Sequence, residues 1–147
     1  METSVRFRHT LPLQIRFNDV DTLGHVNNSV YFSFYDLGKT SYFRDANPVE
    51  AVMDKTSVVL AHAEVDFLCP IHPEESVAVQ TAVSEVGHKS FTIIQRVINT
   101  DTREVKCFCT SVVVAFDAAS GQAVPVPETW VQAFCRYEGR DLRRDRH

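Results

Sequence analysis

Residues 28–45 constrain the fold more tightly than any other part of the chain. Ser29, Ser33, Asp36, Thr40 and Arg44 recur at steps of three or four, the spacing that draws one polar stripe along a helix. Val30, Tyr31, Phe32, Phe34, Tyr35, Leu37, Tyr42 and Phe43 fill the rest of the circumference with bulky groups. A helix of that kind has no wide solvent face, so other structure has to wrap it. Asn47 and Pro48 are its expected stop, and a short helical link is expected around residues 49–54.

The rest of the chain supplies the wrapping. Within residues 5–17, Leu13, Ile15 and Phe17 alternate with Gln14, Arg16 and Asn18, the period of a half-buried strand, and turn formers follow over 18–24. Further strands are expected over 56–68, 77–83, 91–98 and 105–116, with turns at Gly87 and 101–103 and an end at Ser120 and Gly121. Connections this short make sequential strands antiparallel neighbours. Pro127 then opens a closing helix that carries Trp130, Val131, Phe134 and Cys135 and meets a stop at Gly139. The predicted class is α+β: a twisted antiparallel sheet of about five strands rolled around one long central helix.

A chain of 147 residues is enough for one domain with a sizeable core. We place that domain at residues 1–135. Residues 136–147, with Arg136, Arg140, Arg143, Arg144 and Arg146 against Glu138, Asp141 and Asp145, are expected to form a basic, flexible tail.

Fifteen basic against nineteen acidic residues leave a formal charge of -4, which offers no broad basic surface for nucleic acid. No apolar run approaches the ~20 residues that span a bilayer, and the first ten residues lack the apolar stretch of a secretion signal. Cys69, Cys107, Cys109 and Cys135 show no Cys-x-x-Cys spacing, so a reduced, cytoplasmic setting is expected. Cys107 and Cys109 fall on one strand face, which suits packing rather than a bond between them.

Chemistry concentrates in Asp19-Val20-Asp21-Thr22-Leu23-Gly24-His25-Val26-Asn27-Asn28, directly before the wrapped helix. Two carboxylates, an imidazole and two carboxamides stand at the mouth of a helix whose first N–H groups lack intrahelical partners. Those donors suit the oxyanion that develops on a thioester carbonyl under attack, and the backbone N–H of Asn28 is the preferred one. An aspartate nearby either attacks the carbonyl or takes a proton from an attacking water, while His25 orients the carbonyl or the water. The same residue types also cap helices and form turns, so Asp19, Asn27 and Asn28 carry weight only in conjunction.

The run Asp-Val-Asp-Thr-Leu-Gly-His-Val-Asn-Asn-Ser-Val-Tyr over residues 19–31 resembles the signature of hotdog-fold thioesterases, of both the 4-hydroxybenzoyl-CoA and the acyl-ACP type. The motif, the helix after it and the strand order agree over about residues 10–135. The resemblance implies that Asp21 takes the place of the catalytic aspartate and that residues 25–28 match the acyl-ACP branch, with Asp19 a local structural group. Leu23 stands where the plant enzymes carry an additional catalytic Asn, and His25 replaces an aliphatic residue of the benzoyl branch. Neither branch's mechanism transfers whole.

His62, Glu64 and Asp66 alternate on a strand expected to pass beside the helix mouth, and in the acyl-ACP branch a glutamate at about the place of Glu64 supports catalysis. An exposed strand face explains the same three residues equally well. Residues 87–91, Gly-His-Lys-Ser-Phe, resemble the family's turn where basic and hydroxyl groups meet coenzyme A phosphates, which nominates Lys89 and Ser90. No His-x-x-x-His or Cys-x-x-Cys spacing points to a metal, and thioester hydrolysis calls for none. No cofactor is expected beyond the coenzyme A or acyl carrier protein that belongs to the substrate.

The expectation is an acyl thioester hydrolase that assembles as a homodimer or homotetramer, with an acyl tunnel near the subunit boundary. A non-catalytic acyl-CoA binding protein and a hotdog hydratase or dehydratase are the rivals. The acyl group and its carrier stay open.

Overall fold

The computed structural model describes residues 6–46 and 55–144. The element order is β1 (His9–Leu13), a short 3-10 turn (Phe17–Asp19), α1 (Val30–Ala46), β2 (Thr56–Phe67), β3 (Val77–Val86), β4 (Ser90–Asn99), β5 (Val105–Asp117) and α2 (Glu128–Glu138). All five strands join one sheet in the order β1-β3-β4-β5-β2, and every pairing is antiparallel. This is the hotdog architecture that the resemblance implies. The expected stop at Asn47 and Pro48 and the helical link over 49–54 lie outside the described residues.

One face of the sheet holds α1. The inward residues of β3, β4 and β5 follow the period of two, and they meet Tyr31, Phe34, Tyr35 and Tyr42 of the helix in two buried clusters along its length. Cys107 and Cys109 both join the inward face, and the Tyr35 hydroxyl donates to Cys107 Sγ at 2.9 Å. The helix crosses the sheet closely at Gly38, where an added Cβ would lie 2.8 Å from both Gln95 Nε2 and Thr81 Oγ1. Gln95, fully buried, donates from Nε2 to the Tyr35 carbonyl at 2.9 Å and to Thr81 Oγ1 at 3.0 Å, tying β4 to the helix backbone.

Three expectations are corrected. The wrapping of α1 is less complete than its apolar girth implies: beside the predicted polar stripe, Phe32 and Leu37 are 46% and 54% exposed. A sheet of five strands curls around one side of a helix only. The first strand ends at Leu13, well short of Phe17, because Arg16 leaves the ladder to bind Asp19 and Phe17 turns out to 94% exposure.

The third correction concerns the tail. Over residues 136–144 the chain is packed: Gly139 caps α2 in the left-handed region at φ 76°, and Leu142 is buried in the α2 cluster. The Val86 N–H donates to the Leu142 carbonyl and the Arg144 N–H to the Val86 carbonyl, both at 2.8 Å. Apolar burial of one leucine and a short parallel bridge to the end of β3 anchor a segment that its arginines alone would leave solvated.

Candidate active site

Helix α1 begins under a cap supplied by Asn27, whose Oδ1 accepts from the Ser29 N–H at 3.0 Å and the Ser29 hydroxyl at 3.1 Å. The Val30 N–H donates to the Asn27 carbonyl and the Tyr31 N–H to the Asn28 carbonyl. The N–H of Asn28 donates to no described residue, so one main-chain donor remains at the helix mouth beside the positive end of the macrodipole.

The preceding loop is held at both ends. Val20 and Val26 form an antiparallel bridge, and the Val26 N–H donates to the Ile71 carbonyl at 2.9 Å. Asp19, almost fully buried, receives the Arg16 backbone N–H at 2.8 Å and its guanidinium at 3.0 Å, while its carbonyl accepts the Asn27 N–H. Burial works against the Asp19 charge, but the bonds from Arg16 outweigh it and hold the carboxyl below its ordinary range. Asp19 is thus buried against Arg16 and does not line the cleft that Asp21 lines.

Asp21 folds its own turn. Its Oδ1 accepts from the Leu23 N–H at 2.9 Å and the His25 N–H at 3.3 Å, and Gly24 completes the reversal at φ 83°. Its Oδ2 carries no hydrogen bond within the described residues. Asp21 also lines a cleft of about 310 Å³, together with His25, Asn28, Tyr31 and residues 67–70. Asp21, His25 and Asn28 thus share one concavity. Leu23, Phe67 and Leu68, all exposed, make its rim apolar, and the Tyr31 and Phe67 rings meet edge to face at 5.2 Å.

Sequence reasoning passed over the support behind His25. The His25 and His72 rings meet edge to face, centroids 5.1 Å apart at 84°. Glu75 Oε2 accepts the His72 backbone N–H at 2.8 Å and lies 3.3 Å from its Nδ1. Lys106, buried, sits 2.8 Å from Glu75 and 2.7 Å from Glu104, and Asn99 adds a bond to Glu75 at 2.8 Å. Burial opposes the Glu75 charge, yet the donors from His72, Lys106 and Asn99 win and draw its carboxyl down to about 2. The signal available in the sequence was Lys106 itself, a lone cation inside the apolar run of β5.

Two nominated groups lie elsewhere in the protomer. Glu64 pairs across the ladder with Thr110, which places it on the sheet face turned away from α1; its side chain is 75% exposed and lies 3.6 Å from His62. The parity of β2 points Ala63, Val65 and Phe67 inward instead. The expected place for Glu64 beside the helix mouth is corrected accordingly. Lys89 and Ser90 sit in the β3–β4 turn, while the cleft lies at the opposite end of the strands, where Val77 and Leu13 pair. Ten residues of β3 separate the ends, a span of ~30 Å. Within the described residues no three His, Cys, Asp or Glu side chains gather as a metal-binding set.

Known proteins share this frame. A thioesterase from Thermus thermophilus, solved with coenzyme A and zinc, superposes with a TM-score of 0.79 at 29% identity over 91% of this chain and 97% of that one. A 1,4-dihydroxy-2-naphthoyl-CoA thioesterase from Synechocystis shares the fold at a TM-score of 0.76, with 17% identity, 86% of this chain and 94% of that one. Protein YsmA of Bacillus subtilis is 29% identical over 113 residues, 76% of this chain and 75% of its own, and the acyl-CoA thioester hydrolase YbgC of Escherichia coli is 23% identical over 92 residues, 61% and 69%. The family model of the thioesterase-like superfamily matches residues 15–134, most of the chain, and the protein belongs to that superfamily.

Proposed function

We propose that the protein hydrolyses an acyl thioester to free acid and thiol. The observation that carries this reading is that three residues line one cleft: Asp21, with a carboxylate oxygen that bonds to no described residue, Asn28, whose N–H donates to none, and His25. In the general-base route, Asp21 takes a proton from water as the water oxygen bonds to the thioester carbon. The charge that moves onto the carbonyl oxygen is held by the Asn28 N–H and the helix dipole. Collapse breaks the C–S bond, and the thiolate regains the proton from Asp21. In the nucleophilic route the Asp21 oxygen bonds to carbon first, the thiolate leaves, and water then hydrolyses the mixed anhydride. His25 orients the carbonyl or the water in both.

The carrier favoured is coenzyme A, in line with the names borne by two relatives, and an acyl carrier protein remains the alternative. Lys89 and Ser90 would then meet its phosphates from a second copy. β2 is an edge strand of twelve residues, paired on one side only and with Val59 and Leu60 exposed, which is the kind of edge that proteins cover. Two-fold antiparallel pairing of β2 with itself covers it and brings the partner's β3–β4 turn to the end of the sheet where the Asp21 cleft opens. The assembly we infer is a homodimer or a tetramer built from it.

A panel of acyl-CoA and acyl-ACP thioesters, scored for release of free thiol, tests the reading. Hydrolysis of at least one substrate that disappears in Asp21→Asn supports it. A crotonyl thioester that gains water while the thiol stays bound would establish a hydratase instead. Saturable binding without thiol release would establish a binding protein.

A further inference from the structure

The face of the sheet turned away from α1 has a cavity of its own, of about 660 Å³, between the chain just before β1 and the end of α2. Arg6, Arg8 and Arg140 line it, and within the described residues none of the three forms an ion pair. Arg8 Nη1 donates to the Tyr137 carbonyl at 2.8 Å and Arg140 Nη2 to the Ser84 carbonyl at 3.3 Å. These acceptors are neutral. They fix two guanidiniums in place, and three arginines face one carboxylate, Glu138, among the described residues that line the cavity, in a chain whose net charge is -4.

One carboxylate lines the cavity, Glu138, and the Tyr42 hydroxyl donates to its Oε2. Burial pushes the Glu138 carboxyl up from its ordinary range, against the nearby charges of Arg140 and Arg8, which draw it down. Thr92 and Thr110 also line the cavity, with Ile94 and Phe108 as buried apolar neighbours. Guanidinium forks with hydroxyl donors over a low-dielectric floor suit an anion with many oxygens, and the fork matches phosphate in two-point contact. The volume is that of small-molecule sites.

We propose that this outer-face cavity is a second ligand site, which takes a small diphosphate-bearing molecule on Arg8 and Arg140 independently of the acyl thioester cleft. The two sites occupy opposite faces of the sheet and opposite ends of β3, since Ser84 and Arg140 lie by Val86 and the cleft by Val77. The proposal does not rest on the hydrolytic reading.

Inorganic pyrophosphate is the probe, added to the full chain and followed by calorimetry and by backbone amide shifts. The expected result is one saturable site with shifts centred on Ser84, Thr92, Thr110 and Arg140 and none over residues 21–28. The Arg8→Gln, Arg140→Gln double variant weakens binding at least ~10-fold, the scale of losing charge-assisted bonds to phosphate. Arg140→Lys keeps the charge without the fork and falls between. An unchanged thermal midpoint and thiol release in these variants show the fold intact; where the double variant unfolds, Arg140→Lys alone carries the comparison. Absence of saturation up to ~10 mM pyrophosphate, equal affinity in Arg140→Lys and the unsubstituted chain, or shifts that centre on Lys89 or the Asp21 loop would overturn the proposal.

Discussion

Replacing Gly38 with alanine sets two effects of opposite sign against each other at the closest approach of α1 to the sheet. Alanine in a helix interior gains about 1 kcal/mol over glycine. The new Cβ, however, would stand 2.8 Å from Gln95 Nε2, 2.8 Å from Thr81 Oγ1 and 3.1 Å from Val79 Cγ1. Gln95, Thr81 and Val79 are all fully buried, so there is no open space for them to enter. Gln95 can swing away only by giving up its bonds to the Tyr35 carbonyl and Thr81, and a buried polar group left unpaired costs about 1–3 kcal/mol. Overpacking adds about 1–3 kcal/mol. The loss therefore exceeds the gain, by about 2–3 kcal/mol where the helix shifts to share the strain, which at this chain length lowers the thermal midpoint by about 4–12 °C. Urea unfolding with an unchanged slope is the assay. Because Gln95 supplies one of the two 2.8 Å contacts, Gly38→Ala is expected to cost less in a Gln95→Ala background, a coupling that a double-mutant cycle reads directly. A Gly38→Ala protein as stable as the original, or purely additive with Gln95→Ala, would refute the close-approach argument.

Other outcomes follow from the site. Asp21→Asn is expected to lower thiol release by at least ~100-fold at an unchanged thermal midpoint, the scale for removing a general base; near-normal turnover would defeat the assignment. His72→Ala removes the ring that flanks His25 and is expected to lower kcat more than it raises KM, with His72→Phe restoring part of the rate through the retained edge-to-face contact and His72→Asn restoring none. Glu75 is depressed from 4.5 to about 2, so its contribution to stability is present above pH 4.5 and is lost as pH falls from there towards 2. Glu75→Gln is expected to flatten that part of an acid-unfolding profile; an equally steep loss would show that the Lys106 pair does not report on stability.

The sequence exposed the features that depend on local pattern and left dark those that depend on where strands lie relative to one another. Strand identity, the antiparallel order of β3, β4 and β5 and the two helices were readable because period and turn chemistry are local. The convergence of Asp21, His25 and Asn28 was readable for the same reason, since one loop and one helix start carry all three. The His72, Glu75 and Lys106 support was not, because it joins a loop after β2 to the start of β5, 31 positions apart between Glu75 and Lys106 in sequence numbering. The packed segment 136–144 was misread because five arginines within 136–147 outweighed the single Leu142 that anchors it.

Period two alone put His62, Glu64 and Asp66 together correctly; what it could not supply was which face of the sheet they share, and pairing of Glu64 with Thr110 decides that against the helix side. A resemblance read along the chain likewise located Lys89 in its turn without showing that the turn and the Asp21 loop occupy opposite ends of the strands. Both departures have the same physical root, because a hairpin sheet fixes distances within a protomer that a linear motif does not encode. Both also point outward. On the proposed coenzyme A reading, a basic turn ~30 Å from Asp21 of its own chain would reach that site only from a second copy, and a charged substitution at the exposed Leu60 is then expected to weaken substrate binding in step with dimer dissociation.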